Sequence, residues 1–159
     1  MNTSINPGTW NIDPGHSEIG FAVRHLGLSK VRGRFKTFSG TLTIQEDNLV
    51  SEVSATIDLS SIDTNNAQRD GHLQSTDFFN LASHPTMTFI SAAVTPNTMS
   101  GNLTINGVTN TVTLDLEFHG VTNDAYGQTR AGFSASGVIK RSDFGIDFNA
   151  PVGFDGLLI

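Results

Sequence analysis

The sequence predicts an all-β protein, built as one extended antiparallel up-and-down β-barrel of about eight strands with a short helical insert near residues 64–85. Two observations support this fold class. Short runs rich in Val, Ile, Thr and Phe alternate with polar residues and are separated by turn residues, among them many of the 16 glycines. Helical periodicity is nearly absent outside the insert.

Period-two alternation indicates the individual strands, each with one face more apolar than the other. They lie near residues 8–13, 18–26, 30–44, 50–59, 86–95, 99–106, 110–119 and 130–140. In the second of them Ile19, Phe21 and Val23 share one face, which we assign to the core. Turns such as Asn106-Gly107 join consecutive strands and favour a meander that closes on itself.

The third predicted strand separates charged from apolar residues. Its cations belong to a basic stripe that consists of Arg24, Lys30, Arg32, Arg34 and Lys36. Because a slip of one residue in register would bury four of these cations, the register is strongly specified. We expect the stripe to face outward. It is either a solvated face that protects an edge strand or a docking face for an anionic group, a membrane surface or an acidic partner.

Residues 64–85 interrupt the alternation, and a structureless loop of that length is uncommon in a compact domain. Residues 67–74 permit a short helix. Leu73, Phe78, Phe79 and Leu81 supply apolar surface that can dock it. We therefore predict a helical cap over one mouth or flank of the barrel.

Length, composition and net charge exclude several classes of protein and of binding site. A chain of 159 residues can bury one core and fits a single domain. With no cysteine, disulfides and thiolate zinc sites are excluded. The net charge of −6 disfavours a nucleic-acid partner. Neither a membrane span nor a secretory signal is recognisable, which predicts a cytoplasmic protein.

Motifs for catalysis or metal binding are missing from the sequence. The five histidines, at positions 16, 25, 72, 84 and 119, do not have the spacing of a metal site. The run from Gly132 to Gly137 only approaches the Gly-x-Ser-x-Gly pattern of serine hydrolases. Asp70, beside Arg69 or Arg141, is interpreted as one half of a structural ion pair that fixes the cap. We expect no catalytic residue, no metal and no cofactor.

The aromatic residues indicate an apolar interior. Eleven phenylalanines accompany one tryptophan and one tyrosine, and Phe buries area without needing a hydrogen-bond partner. Alternation places Phe21, Phe35, Phe89, Phe118 and Phe133 inward. Small inward residues favour a cavity over a filled core. They are Gly33, Ala55, Ala135 and Gly137.

A series of short motifs follows in order from about residue 9 to residue 148. The series includes Trp10-x-Ile12-Asp13-Pro14-x-His16-Ser17, Gly33-x-Phe35-x-x-Phe38-x-Gly40, Arg69-Asp70-x-His72-Leu73 and Arg141-Ser142-Asp143-Phe144-Gly145-Ile146. In content and order it closely resembles the YceI-like family of lipid-binding proteins. The resemblance implies a lipocalin-like barrel that binds a polyisoprenoid or related amphiphile in an apolar tunnel, without catalytic residues. It also allows a homodimer and makes the periplasm the alternative location.

Combined with the alternation, the resemblance predicts which side chains contact a bound isoprenoid or quinone-like lipid. The tunnel residues are Phe21, Val23, Phe35, Leu42, Ile57, Leu73, Phe78, Phe79, Phe89 and Phe133. The head group is expected near the cap, with Arg69, Asp70, His72 and Arg141 as candidates. The lipid would be carried or sequestered.

Two alternatives are open on the sequence alone. One is a lipid-modifying enzyme that uses His16 or His25 as a base in the same cavity; polar groups converging inside the tunnel would favour it. The other is a stress-related interaction protein that docks its partner on the basic stripe.

The C-terminal residues Gly156-Leu157-Leu158-Ile159 depart from the family pattern, in which a further strand usually follows. Either the chain is truncated or that strand is lost. We expect the barrel to lack it and to have an open seam between the first and eighth predicted strands, which invites dimerisation.

Overall fold

The computed structural model describes residues 6–25, 29–46, 49–75, 78–123, 125–146 and 157–158, and for residues 24–25, 29–30 and 157–158 the backbone alone. The strands are β1 (Gly8–Asn11), β2 (Ile19–His25), β3 (Ser29–Phe35), β4 (Phe38–Ile44), β5 (Val50–Asp58), β6 (Ile62–Asp63), β7 (Thr86–Val94), β8 (Thr98–Ile105), β9 (Val108–Asn123), β10 (Thr129–Ser136), β11 (Val138–Ile139) and β12 (Leu157–Leu158). The helix α1 spans Ala67–Leu73, and 3₁₀ turns span Leu59–Ser61 and Arg141–Phe144.

The strands form two antiparallel sheets. The larger sheet has the order β1-β4-β5-β7-β8-β9-β10, and the smaller has the order β11-β12-β2-β3-β6. From β4 to β10 the larger sheet is a meander that curls strongly into a half-barrel, and the smaller sheet faces it. The predicted fold class, an antiparallel curled β structure with one short helix, is confirmed.

Two predicted strands are wrong in extent. The segment near 130–140 forms β10 and β11, which belong to different sheets and are separated at Gly137. The segment near 30–44 forms two strands, β3 and β4, which belong to different sheets and meet at a bend over Lys36 and Thr37. The cause is a change in the phase of alternation. Phe35 ends the inward residues of β3, and Phe38 begins those of β4, so the two buried rings lie three positions apart where period two requires two or four.

Two bends between the sheets are bonded to each other. The Lys36 amide donates to the Ser61 carbonyl at 3.2 Å, and the Asp58 amide donates to the Thr37 carbonyl at 2.9 Å. Asp58 also caps the 3₁₀ turn by accepting from the Ser60 amide at 2.9 Å. The bend between β3 and β4 is thereby held against the bend between β5 and β6.

The densest packing lies beside these bends. Phe35 is 2% exposed, and its ring centroid lies 5.5 Å from that of Phe21 and 6.2 Å from that of Phe79. Leu59, in the 3₁₀ turn, is completely buried. Phe79 comes from the segment after α1, so the predicted helical cap is docked on the barrel through a buried aromatic side chain.

The edges of the larger sheet, β1 and β10, lie on the two sides of the predicted seam. Near one end β12 lies between β11 and β2, pairing with Val138, Ile139 and Ala22. Elsewhere Arg130 of β10 donates through Nη1 to the Asp13 carboxylate, which follows β1. In the described part of the chain the ion pair therefore bridges the predicted seam, whereas β12 joins the eighth predicted strand to the second.

Two glycines provide a test of the packing. A Cβ at Gly101 would lie 2.5 Å from the Ile90 carbonyl oxygen and 2.8 Å from the Ser91 Cα, and neither backbone atom can move aside easily. In α1, a Cβ at Gly71 meets nothing within 4 Å. We expect Gly101→Ala to lower the free energy of unfolding by about 1–3 kcal/mol through overpacking. Gly71→Ala should raise it by about 0.5–1 kcal/mol through helix propensity.

Urea denaturation of both variants and the wild type measures the two changes. Equal effects of the two substitutions would contradict the close approach at Gly101.

The ion pair at the seam predicts a specific dependence of stability on pH. Hydrogen bonds from Arg130, His16 and the Gly15 amide lower the pKa of Asp13 from 3.8 to about 2. A carboxyl whose pKa is lower in the folded state stabilises the fold above its unfolded pKa, and this contribution is lost as the pH falls through the folded value. Asp13→Asn should therefore be less stable than the wild type at neutral pH, and the difference should shrink between about pH 4 and pH 2.

Urea denaturation across this pH range checks the prediction. Asp115→Asn, which removes an exposed carboxylate from β9, serves as the control. A stability difference for Asp13→Asn that is constant from pH 7 to pH 2 would show that the carboxylate charge does not matter.

Candidate functional site

Two neighbouring cavities occupy the interior of the described barrel. The smaller has a volume of about 450 Å³ and lies beside α1. The larger has a volume of about 1070 Å³ and is enclosed mainly by the curled sheet. Ile139 of β11 lines both, so the two cavities meet at that side chain.

Five of the predicted tunnel residues line the smaller cavity. They are Phe21, Val23, Leu73, Phe78 and Phe79. The first two come from the inward face of β2, and the others come from α1 and the segment after it. The other apolar side chains that line this cavity were not predicted; they are Val31, Ile105, Ile139, Phe144 and Ile146. Phe144 and Ile146 follow the last long strand, where no alternation marks a side chain as inward.

Four further predicted tunnel residues line the larger cavity. They are Leu42, Ile57, Phe89 and Phe133. Val112, Leu114 and Leu116 of β9 also line it, and their alternation could have identified them. Phe35 is the exception among the tunnel predictions, because it lines neither cavity. Its ring packs against Phe21 and Phe79 instead.

Two predicted head-group residues, Arg69 and Asp70, are bonded to Thr64. Arg69 donates to the Thr64 hydroxyl at 2.8 Å and to its carbonyl at 2.7 Å. Asp70 accepts from the Thr64 amide at 2.9 Å and from its hydroxyl. Thr64 is 3% exposed, so these bonds satisfy a buried polar residue. They also attach α1 to the end of β6.

The side chains that line the smaller cavity near α1 include three of the four head-group candidates, Arg69, His72 and Arg141. Asp70 does not line it. The His72 ring meets the Phe78 ring edge-on, with the centroids 5.1 Å apart. Of the polar residues that line this end, Arg69 and Arg141 are cations, and Asn66 and Gln68 are neutral amides.

A second polar cluster borders the larger cavity, and of its members only His16 was considered from the sequence, as a base in the enzyme alternative. Asp13, His16 and Arg130 all line that cavity. His16 Nδ1 lies 3.0 Å from the Asp13 carboxylate, which also accepts from Arg130. Arg130 donates to Gln128 as well, at 3.2 Å. Arg130 is 117 positions from Asp13, so no local sequence pattern could have joined them.

The remaining described histidines do not assemble a metal site. In the part of the chain that the structure describes, no group of three or more His, Asp or Glu residues could hold a metal ion. His119 contacts Ser134 at 2.6 Å and Glu117 at 4.0 Å, and both of these residues are exposed. The side chain of His25, one of the two bases considered, lies outside the described residues.

None of the described helices is long and apolar enough to cross a membrane.

Comparison with known proteins agrees with this architecture. In sequence, the chain is 45% identical over 136 residues to protein YceI of Escherichia coli O157:H7, a match that covers 82% of this chain and 71% of the relative. In structure, it is similar to the YCEI protein of Campylobacter jejuni, with a TM-score of 0.72, 34% identity and coverage of 93% and 92% of the two chains.

The fold also matches that of a polyisoprenoid binding domain from Saccharophagus degradans. The TM-score is 0.65 and the identity is 16%, over 96% of this chain and 94% of that domain. At this identity the likeness is one of fold alone. Residues 10–158 match the YceI-like domain family, and the chain therefore belongs to that family.

Proposed function

We propose that the protein binds the hydrocarbon chain of a long isoprenoid, or of a similar amphipathic lipid, inside the barrel and acts as its carrier or sequestering protein. The observation that carries the proposal is the pair of cavities of about 450 and 1070 Å³, which meet at Ile139 and have mostly apolar walls. The fold shared with a polyisoprenoid binding domain supports the same ligand class.

The energetics favour a long chain over a short one. At about 25 cal/mol per Å², a tail that buries on the order of 600 Å² of apolar surface gains roughly 15 kcal/mol. The free-energy costs of association and of ordering a flexible tail offset a large part of that gain. Much of the free-energy cost of association does not depend on the length of the tail. Each further isoprene unit that contacts the cavity wall therefore increases the net affinity.

The proposed position of the head group is the α1 end of the smaller cavity. Arg69, His72 and Arg141 line the cavity there. Arg69 is held in place by its two bonds to Thr64, which fix its guanidinium before any ligand arrives. Such preorganisation reduces the ordering cost of binding.

Catalysis is not part of the proposal. Polar groups do converge at Asp13, His16 and Arg130, but they lie at the rim of the larger cavity, where the His16 side chain is 69% exposed. A general base must lie within hydrogen-bond reach of the proton that it removes. The wall that would surround a lipid bound in this cavity is mostly apolar. The rest of the larger cavity is lined mainly by aliphatic and aromatic side chains.

Filling the larger cavity tests the proposed function. Ala135 of β10 lines that cavity and pairs with Leu116. The next residue, Ser136, is likewise solvent-exposed but does not line the cavity. We expect Ala135→Trp to lower the lipid-bound fraction at least about tenfold, since the indole occupies the space of the tail. Ser136→Trp adds the same side chain to the same strand and should bind lipid like the wild type.

Native mass spectrometry after mild purification measures the bound fraction, and a long polyprenol and the shorter geranylgeraniol serve as added probes. Circular dichroism confirms that each variant is folded. A wild-type protein that is always empty and takes up neither probe would rule out the proposed function.

A further inference from the structure

The outer surface of β3 carries a run of exposed cations. Arg32 and Arg34 are exposed on β3, and Lys36 follows at the bend. The side chains of Arg34 and Lys36 are 56% and 58% exposed. On the neighbouring strand β2, Arg32 is opposite Ala22 and Arg34 is opposite Gly20. We call Arg32, Arg34 and Lys36 the basic face; the prediction that the stripe faces outward is confirmed for these three residues.

The Asp63 carboxylate offsets part of this charge. Asp63 of β6 lies 3.8 Å from Arg34 Nη2 and 3.6 Å from Lys36 Nζ. A hydrogen bond from the Asn65 amide lowers the pKa of Asp63, and the charges of Lys36 and Arg34 lower it further. From residue 19 to residue 35 the sequence has no Asp or Glu, and the register places Arg24 opposite Lys30 farther along the same pair of strands. The basic face therefore retains net positive charge.

The basic face and the smaller cavity occupy opposite sides of the same two strands. Val23 and Val31 are register partners on β2 and β3, and both line the smaller cavity. Arg32 is the next residue after Val31, and alternation turns it to the outer side. The wall whose inner side encloses the proposed lipid site thus has cations on its outer side.

The charge of the rest of the molecule has the opposite sign. The chain has a net charge of −6, and five of its nine basic residues lie between positions 24 and 36. On the larger sheet, the outer face of β9 presents exposed Asp115 and Glu117. An anionic surface would repel that side of the molecule and attract the basic face, and this asymmetry would fix the orientation of approach.

We infer that the basic face docks on an anionic lipid bilayer and so brings the wall of the smaller cavity to the membrane from which lipid is drawn. The inference rests on the proposed function. A long isoprenoid tail is poorly soluble in water, so a carrier that exchanges it at a membrane surface avoids passage through solvent. Each Lys or Arg held close to an anionic membrane strengthens binding by about fivefold, and the effect is confined to roughly a Debye length.

The experiment compares two variants of equal net charge. Arg32→Gln/Arg34→Gln removes two charges from the basic face. Ser54→Glu/Thr113→Glu adds two negative charges to exposed positions of the larger sheet. Binding is measured by co-sedimentation with vesicles of phosphatidylcholine alone and with vesicles that also contain phosphatidylglycerol, at low and at high salt.

We expect the wild type to bind the phosphatidylglycerol vesicles at low salt and to release them at high salt. Arg32→Gln/Arg34→Gln should bind about tenfold more weakly, because Asp63 already offsets part of the Arg34 charge. The control variant should stay within about twofold of the wild type. Transfer of a fluorescent polyprenol from these vesicles to the protein should slow in the same proportion for Arg32→Gln/Arg34→Gln.

Loading the same proteins from detergent separates this inference from the proposed function. Arg32→Gln/Arg34→Gln should then hold as much lipid as the wild type in native mass spectrometry. The proposed docking is overturned if the wild type carries lipid but does not bind anionic vesicles. It is also overturned if the wild type binds an acidic protein and not the vesicles. Equal losses of vesicle binding in both variants would also overturn it, because net charge would then be sufficient.

Discussion

Three strands bend from one sheet into the other, and the interior of the barrel depends on those bends. They occur at Lys36 and Thr37, at the 3₁₀ turn Leu59–Ser61, and at Gly137 between β10 and β11. At the third bend a Cβ on Gly137 would lie 2.8 Å from the Leu114 side chain, so a larger residue there would require that side chain to shift. If these strands ended instead, the two sheets could pack face to face and fill the space between them. Because they bend, the inward faces surround a volume that their own side chains do not fill.

The same bends explain why the core is dense in one place and hollow in another. Phe35 and Leu59 sit beside the paired bends and are almost completely buried, and the rings of Phe21 and Phe79 pack around Phe35. Elsewhere along the strands, residues with the same inward alternation line a cavity. Alternation therefore determines which side of a strand a residue occupies, whereas its distance from a bend determines whether it meets other side chains or open space.

This distinction sets the limit of what the sequence could predict. Period-two alternation identified most strand positions and six of the nine predicted tunnel residues that line a cavity, whereas the other three came from the apolar surface of the insert. Alternation also assigned Phe35 to the tunnel, because it carries no information on depth. The division of residues 30–44 was present in the sequence as a change of phase between Phe35 and Phe38, which a search for continuous alternation overlooks. The contact of Arg130 with Asp13 joins residues 117 positions apart. Only the closure of the barrel brings them together, so local patterns could not reveal it.

The two polar clusters bordering the cavities, together with the basic face, determine how charge is distributed over the molecule. At the larger cavity, Arg130 is paired with Asp13, a carboxylate whose pKa near 2 keeps it ionised at neutral pH, so that pair contributes almost no net charge. Near α1, Arg69 and Asp70 are both bonded to Thr64, and Arg141 also lines the smaller cavity. The basic face lies outside the wall of that same cavity. Positive charge is thus concentrated around the smaller cavity of an otherwise acidic protein, and the distribution of charge rather than its sum determines which side approaches an anionic surface.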